Sequence, residues 1–110
     1  MGKKIPAKIH KLLAEAKNRF DALYMQRQHE LVLFGSYARG DFSKGSDIDL
    51  LLLLDDLKDP LAERERFFPM ICDLSLKYDT VLSVVPMDTA CYESQKTPLI
   101  LNVHREGVRL

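Results

Sequence analysis

Asp47 and Asp49 stand one residue apart at the head of an apolar run, with ten residues between them and a Gly35-Ser36 pair. The stretch reads Leu33-Phe34-Gly35-Ser36-Tyr37-Ala38-Arg39-Gly40, then Asp41 to Ser46, then Asp47-Ile48-Asp49-Leu50. Alternate side chains of a strand share a face, so Asp47 and Asp49 project together while Ile48 and Leu50 point inward. Carboxylates held side by side repel unless a cation lies between them, which is what a divalent metal on a triphosphate supplies. Gly35 lets backbone approach a ligand closely. Ser36 offers a phosphate oxygen its hydroxyl and an amide at a helix start. Arg39 and Lys44 lie in the connecting loop, and each is either a phosphate-neutralising group or an ordinary surface cation. These groups suit nucleotidyl transfer: a hydroxyl attacks the α-phosphorus of a nucleoside triphosphate and pyrophosphate leaves, with Mg²⁺ held by Asp47 and Asp49. The plain alternative is a turn followed by the solvated edge of a strand. Four fixed residues, each at a frequency of about 0.06, match by chance on the order of 10⁻⁵ per start position. The strand context on both sides makes the chemical reading the stronger one.

The elements that must position these groups can be read from periodicity. Ile9, Leu12, Leu13, Ala16, Phe20, Leu23 and Tyr24 recur at helical spacing behind Pro6, which predicts a helix from residue 6 to about 28. Leu31 to Phe34 reads as a strand stopped by Gly35, residues 36–40 as a short helical turn, and Asp47 to Leu54 as a second strand. The unbroken leucines of the latter predict burial on both faces. Asp59-Pro60 is a helix cap opening a helix toward Lys77, which Pro69 should kink or split. Thr80 to Val85 reads as a third strand stopped by Pro86. Thr97-Pro98 and Gly107 bracket a last helix over about 98–106.

A short, turn-rich connection favours antiparallel pairing of the first two strands, and the helical connection favours a parallel third. The expected fold is therefore α/β (α+β), a small mixed sheet flanked by helices, forming one domain over 1–110. That topology gathers Ser36, Asp47, Asp49 and the start of the third strand, near Asp79 to Ser83, at one end of the sheet.

Composition bounds the alternatives. The 110 residues suffice for one core, and 46% hydrophobic content is ordinary for a globular protein. The run Leu50 to Leu54 is far too short to cross a bilayer, and nothing resembles a secretory signal. Cys72 and Cys91 lack metal-ligand spacing and read as reduced thiols of a cytoplasmic protein; His10, His29 and His104 are scattered. Residues 1–28 hold seven Lys/Arg against two acidic groups, and 29–110 hold nine against fourteen, so the net charge is zero. That balance gives no strong nucleic-acid signal. The basic first helix is either a partner-docking face or, more plainly, a solvated surface.

Gly35-Ser36, the ten intervening residues and Asp47-Ile48-Asp49 resemble the signature of minimal nucleotidyltransferases, single-domain members of the DNA-polymerase-β-like superfamily. The likeness extends to the leading helix and to Pro98-Leu99-Ile100-Leu101-Asn102-Val103 with Arg105-Glu106-Gly107. It implies ATP with Mg²⁺, and a helical HEPN-type partner with which such proteins form toxin–antitoxin pairs. The antitoxin then neutralises its partner by contact or by transferring AMP to a tyrosine on it. Active members commonly carry a third carboxylate within the later strand, and Thr80 to Val85 contains none. Asp79 is the nearest candidate: it shares strand parity with Val81 and Ser83, or else it caps the preceding helix or bonds within the turn. Two function classes follow. One is an Mg²⁺-dependent enzyme whose acceptor is presented by a partner or a second copy. The other is a catalytically weak binding module that neutralises a partner by contact.

Overall fold

The computed structural model describes residues 4–110. Its elements run α1 (Ala7–Leu23), β1 (His29–Phe34), α2 (Ser36–Arg39), β2 (Ile48–Leu54), α3 (Pro60–Tyr78), β3 (Leu82–Asp88), α4 (Thr89–Ser94), α5 (Pro98–Glu106) and β4 (Val108–Arg109). One four-stranded sheet has the order β3-β2-β1-β4. β1 pairs antiparallel with β2 and β4, and β2 pairs parallel with β3. The mixed sheet matches the pairing directions expected from connection lengths.

Alternation along β2 divides the core. Leu50, Leu52 and Leu54 pack with Ile9, Leu12, Phe20 of α1 and Phe67, Met70, Leu74 of α3. Leu51 and Leu53 face the other way, against Tyr92 of α4 and Ile100 and Val103 of α5. All five leucines are at most 3% exposed, so β2 is buried on both faces. Leucines from 50 to 54 cannot all reach one face of a strand, and helices on both sides are the consequence.

Several element limits differ from the sequence reading. α1 stops at Leu23 with Tyr24 as its C-cap, five residues short of the expected end. Tyr24 is the last apolar residue of the stripe to be buried, and Met25 beyond it is 77% exposed. Past that point no packing supports the helix. Pro69 does not split α3, which is continuous over 19 residues. Pro69 is exposed while Phe67 and Met70 beside it are anchored in the core, so the missing backbone donor lies on the solvent side. Nor does Pro86 end β3, which runs on to Asp88. β3 is an edge strand and needs no donor on its open side.

α4 and β4 had no counterpart in the sequence reading. α4 has only six residues, capped by Asp88, whose side chain accepts from Cys91 N at 3.2 Å. β4 is two residues long, too short for alternation to declare itself. Gly107 follows α5 as expected, but its φ of −66° is open to any residue. What requires glycine is space: a Cβ there would meet Val103 O and Val32.

Candidate active site

β1 delivers Phe34 directly opposite Asp49, the second residue of β2, and then turns at Gly35 into α2. Gly35 has φ +77°, a backbone conformation that side chains disfavour. A Cβ on it would also run into the Asp49 carboxylate. The glycine is therefore required twice, by the turn and by the close approach of Asp49.

Ile48 and Leu50 are fully buried, whereas Asp47 is exposed and Asp49 half-buried on the opposite side of β2. Both carboxylates open into a hollow of about 440 Å³, together with Gly35, Ser36, Arg39 and Ser46. No side chain caps the start of α2, and the Ser36 hydroxyl has no hydrogen-bond partner among the described residues.

The two carboxylates likewise lack any hydrogen bond or ion pair among the described residues. Burial pushes the Asp49 carboxyl above its ordinary pKa, and the neighbouring Asp47 charge adds to that, while Arg39 acts in the opposite sense. Arg39 itself is tethered. Its Nε donates to Asp41 Oδ2 at 3.0 Å and its Nη1 to Glu106 Oε1 at 3.1 Å. Those two carboxylates raise its pKa further above the usual guanidinium range.

Two residues singled out from sequence are placed elsewhere. Asp79 and Lys44 line a second, larger hollow of about 600 Å³ with Tyr37, Phe42 and Val81. The parity argument for Asp79 assumed extended backbone, but Asp79 is the left-handed C-cap of α3, with φ +49°, and β3 begins only at Leu82. In register, the residue across from Asp49 is Ser83, which is exposed. The two hollows adjoin at Ser46, which lines both.

Sequence reasoning missed the third wall of the first hollow. Leu99, Asn102 and Glu106 of α5 complete it, while Ile100 and Val103 of the same helix reach the core. The spacing 99, 102, 106 is one helical stripe beside the buried one. Nothing in the sequence, however, tells which end of the sheet that stripe reaches until the packing of α5 is known.

Among the described residues there is no group of three His, Cys, Asp or Glu side chains arranged to hold a metal ion. Asp47 and Asp49 nonetheless fit Mg²⁺ by the chemistry of the donor set. Mg²⁺ is content with one or two carboxylates plus phosphate oxygens and water, and the two carboxylates have no protein cation directly bonded to them. Bound there, it would supply charge neutralisation at the reacting phosphate.

The family model of the nucleotidyltransferase domain matches residues 11–102, from α1 through most of α5. The chain belongs to the nucleotidyltransferase family. A relative from Methanocaldococcus jannaschii, provisionally named a protein adenylyltransferase, is 30% identical over 102 residues, which cover 93% of this chain and 98% of that one. A crystal structure of a toxin–antitoxin with AMP-PNP contains a chain 26% identical, with a TM-score of 0.56, over 93% of this chain and 68% of that one. A protein from Sulfolobus solfataricus, provisionally named a nucleotidyltransferase and solved at 1.40 Å, has a TM-score of 0.59 at 20% identity. It matches over 96% of this chain and 87% of its own, and its likeness is one of fold. As a nucleotidyltransferase, this chain is an enzyme built on a mixed sheet with helices on both faces. Among the described residues no helix is long and apolar enough to cross a membrane.

Proposed function

We propose that the protein is an Mg²⁺-dependent adenylyltransferase that moves AMP from ATP onto a hydroxyl of a partner protein. The observation that carries this is the pair of unpaired carboxylates, Asp47 and Asp49, opening beside a turn whose Gly35 is too close-packed for any side chain. The hollow is lined by three carboxylates, Asp47, Asp49 and Glu106, and one guanidinium, Arg39, which Asp41 holds from outside the lining. Such a hollow repels free ATP and accepts it with its metal. Ser36 and Arg39 then hold the phosphates, while Asp47 and Asp49 orient the metal–triphosphate for in-line attack. Adenine as the base, and a protein as the acceptor, are favoured by the relative named a protein adenylyltransferase and by the toxin–antitoxin chain crystallised with AMP-PNP. The resemblance of the Gly35-Ser36 and Asp47-Ile48-Asp49 elements to minimal nucleotidyltransferases makes the partner a HEPN-type helical toxin and this chain its antitoxin.

A second reading is favoured by one observation. The strand position across from Asp49 carries Ser83, a hydroxyl rather than an acid, and Asp79 lines the other hollow. With no carboxylate there to take the acceptor's proton, transfer would be slow and neutralisation would proceed by contact.

Intact-mass spectrometry separates the two. Incubated with ATP, Mg²⁺ and its cognate partner, the protein should raise the partner's mass by one or more AMP units. Asp79→Asn should form the adduct as the parent does. A slowed adduct in that variant would return Asp79 to the reaction. No adduct, with neutralisation retained by the Asp47→Asn/Asp49→Asn double variant, would replace transfer by contact.

A further inference from the structure

Glu106 closes the nucleotide hollow from the end of α5, and among the described residues the only polar contact of its side chain is with Arg39, at 3.1 Å. Its carboxylate is 21% exposed, against 46% for the Arg39 side chain, so the pair is half-sheltered. The backbone fixes Glu106 in place. Gly107 packs so closely on Val32 and Val103 O that no side chain fits. Val108 then pairs with Leu33, two residues before the Gly35 turn. The end of α5 is thus stitched to the strand that delivers Gly35 and Ser36.

On the other side, Asp41 takes the Arg39 Nε. Two of the three guanidinium nitrogens are occupied by carboxylates, and Nη2 has no partner among the described residues. An arginine side chain is rich in rotamer entropy, and a planar fork fixed at two points retains little of it. Prepaid ordering of this kind appears as ligand affinity.

We propose that Glu106 is a positioning residue: acting through Arg39, it presents the free Nη2 of the guanidinium to the phosphates of the bound nucleotide. The assignment rests on the adenylyltransferase reading of the hollow. It gives Gly107 and β4 a part in substrate binding, since they place Glu106.

Calorimetric titration of Mg·ATP tests it with four proteins: the parent, Glu106→Ala, Arg39→Ala and the double variant. Glu106→Ala should weaken binding about five-fold, the order of a well-placed ion pair. In the Arg39→Ala background the same change should have no further effect. Glu106→Gln, which keeps an acceptor oxygen, should recover most of the loss. Mg·AMP, lacking the β- and γ-phosphates, should be less affected than Mg·ATP. A purely structural Glu106 would lower the melting temperature and leave the Mg·ATP affinity unchanged. Equal losses in both backgrounds would mean that Glu106 acts without Arg39. Tighter binding in Glu106→Ala would make it a restraint on Arg39. Each of these overturns the proposal. Asp47→Asn and Asp49→Asn serve as reference: if they bind Mg·ATP like the parent, the reading of the hollow itself falls. Loss there with an unchanged Glu106→Ala overturns only the role of Glu106.

Discussion

β2 carries an acidic pair at each end, and the two ends are treated in opposite ways. At its start, Asp47 and Asp49 share a side and neither has a protein partner among the described residues. At its finish, Asp55 and Asp56 are consecutive, and it is their backbone carbonyls that are used. Arg27 Nη2 donates to Asp55 O at 3.0 Å and to Asp56 O at 3.4 Å. The same guanidinium donates through Nη1 to Glu63 at 2.8 Å, and the Tyr24 hydroxyl donates to Glu63 at 2.7 Å. Burial alone would raise the Glu63 pKa, but Tyr24 and Arg27 outweigh it and hold the carboxyl below its ordinary range. Asp49, with burial and a like charge beside it, is shifted the other way. One end spends its polar groups on holding α1, β2 and α3 together. The other leaves them available. A carboxylate pulled down by partners is a fastening, and one pushed up with none is a place for a cation.

The largest effect should come from Asp47→Asn or Asp49→Asn, each of which should abolish AMP transfer to the partner, read as loss of the mass adduct. The matching change at the closed end, Glu63→Ala, should leave transfer intact. It should lower unfolding free energy by about 2 kcal/mol in urea denaturation, because it leaves Arg27 Nη1 and a half-buried hydroxyl without their acceptor. If Glu63→Ala abolishes transfer while the protein is folded, the division between the ends is wrong. Ser36→Ala should be milder, costing on the order of 1 kcal/mol of triphosphate affinity for a lost hydrogen bond.

The smallest effect concerns pH, and its sign differs between the ends. Asp49 has a raised pKa, so its contribution to stability is present in acid and is lost as pH rises through that value. Glu63 has a lowered one, so its contribution is present above the ordinary carboxylate range and is lost as pH falls. At pH 7 without metal, Asp49→Asn should therefore melt slightly higher than the parent, whereas Glu63→Gln should melt lower. Melting curves from pH 3 to 7 report both signs, and equal signs would erase the contrast.

The open end was largely legible in the sequence because its information is local. A tight turn, a counted loop and a strand of period two place Gly35, Ser36, Asp47 and Asp49 without reference to the rest of the chain. Pairing directions followed from connection lengths in the same way. What escaped depends on packing between distant segments. Glu106 enters the hollow only because α5 lies against β1 and β2, and β4 exists only because Val108 finds Leu33. Of the two alternatives for Asp79, the helix cap holds and strand parity does not, since one left-handed residue at the end of α3 cancels that parity. The closed end was equally opaque, because its Arg27–Glu63 pair joins residues 36 apart in sequence.

The claim that the unpaired end exists to hold a metal-bound nucleotide is tested most directly by titrating ATP into the protein with and without Mg²⁺. The same titration is then repeated with Asp49→Asn and with Glu63→Gln. Binding should require Mg²⁺, vanish in Asp49→Asn, and persist at parental affinity in Glu63→Gln. Binding of equal strength in Asp49→Asn and the parent, or binding indifferent to Mg²⁺, would contradict the assignment.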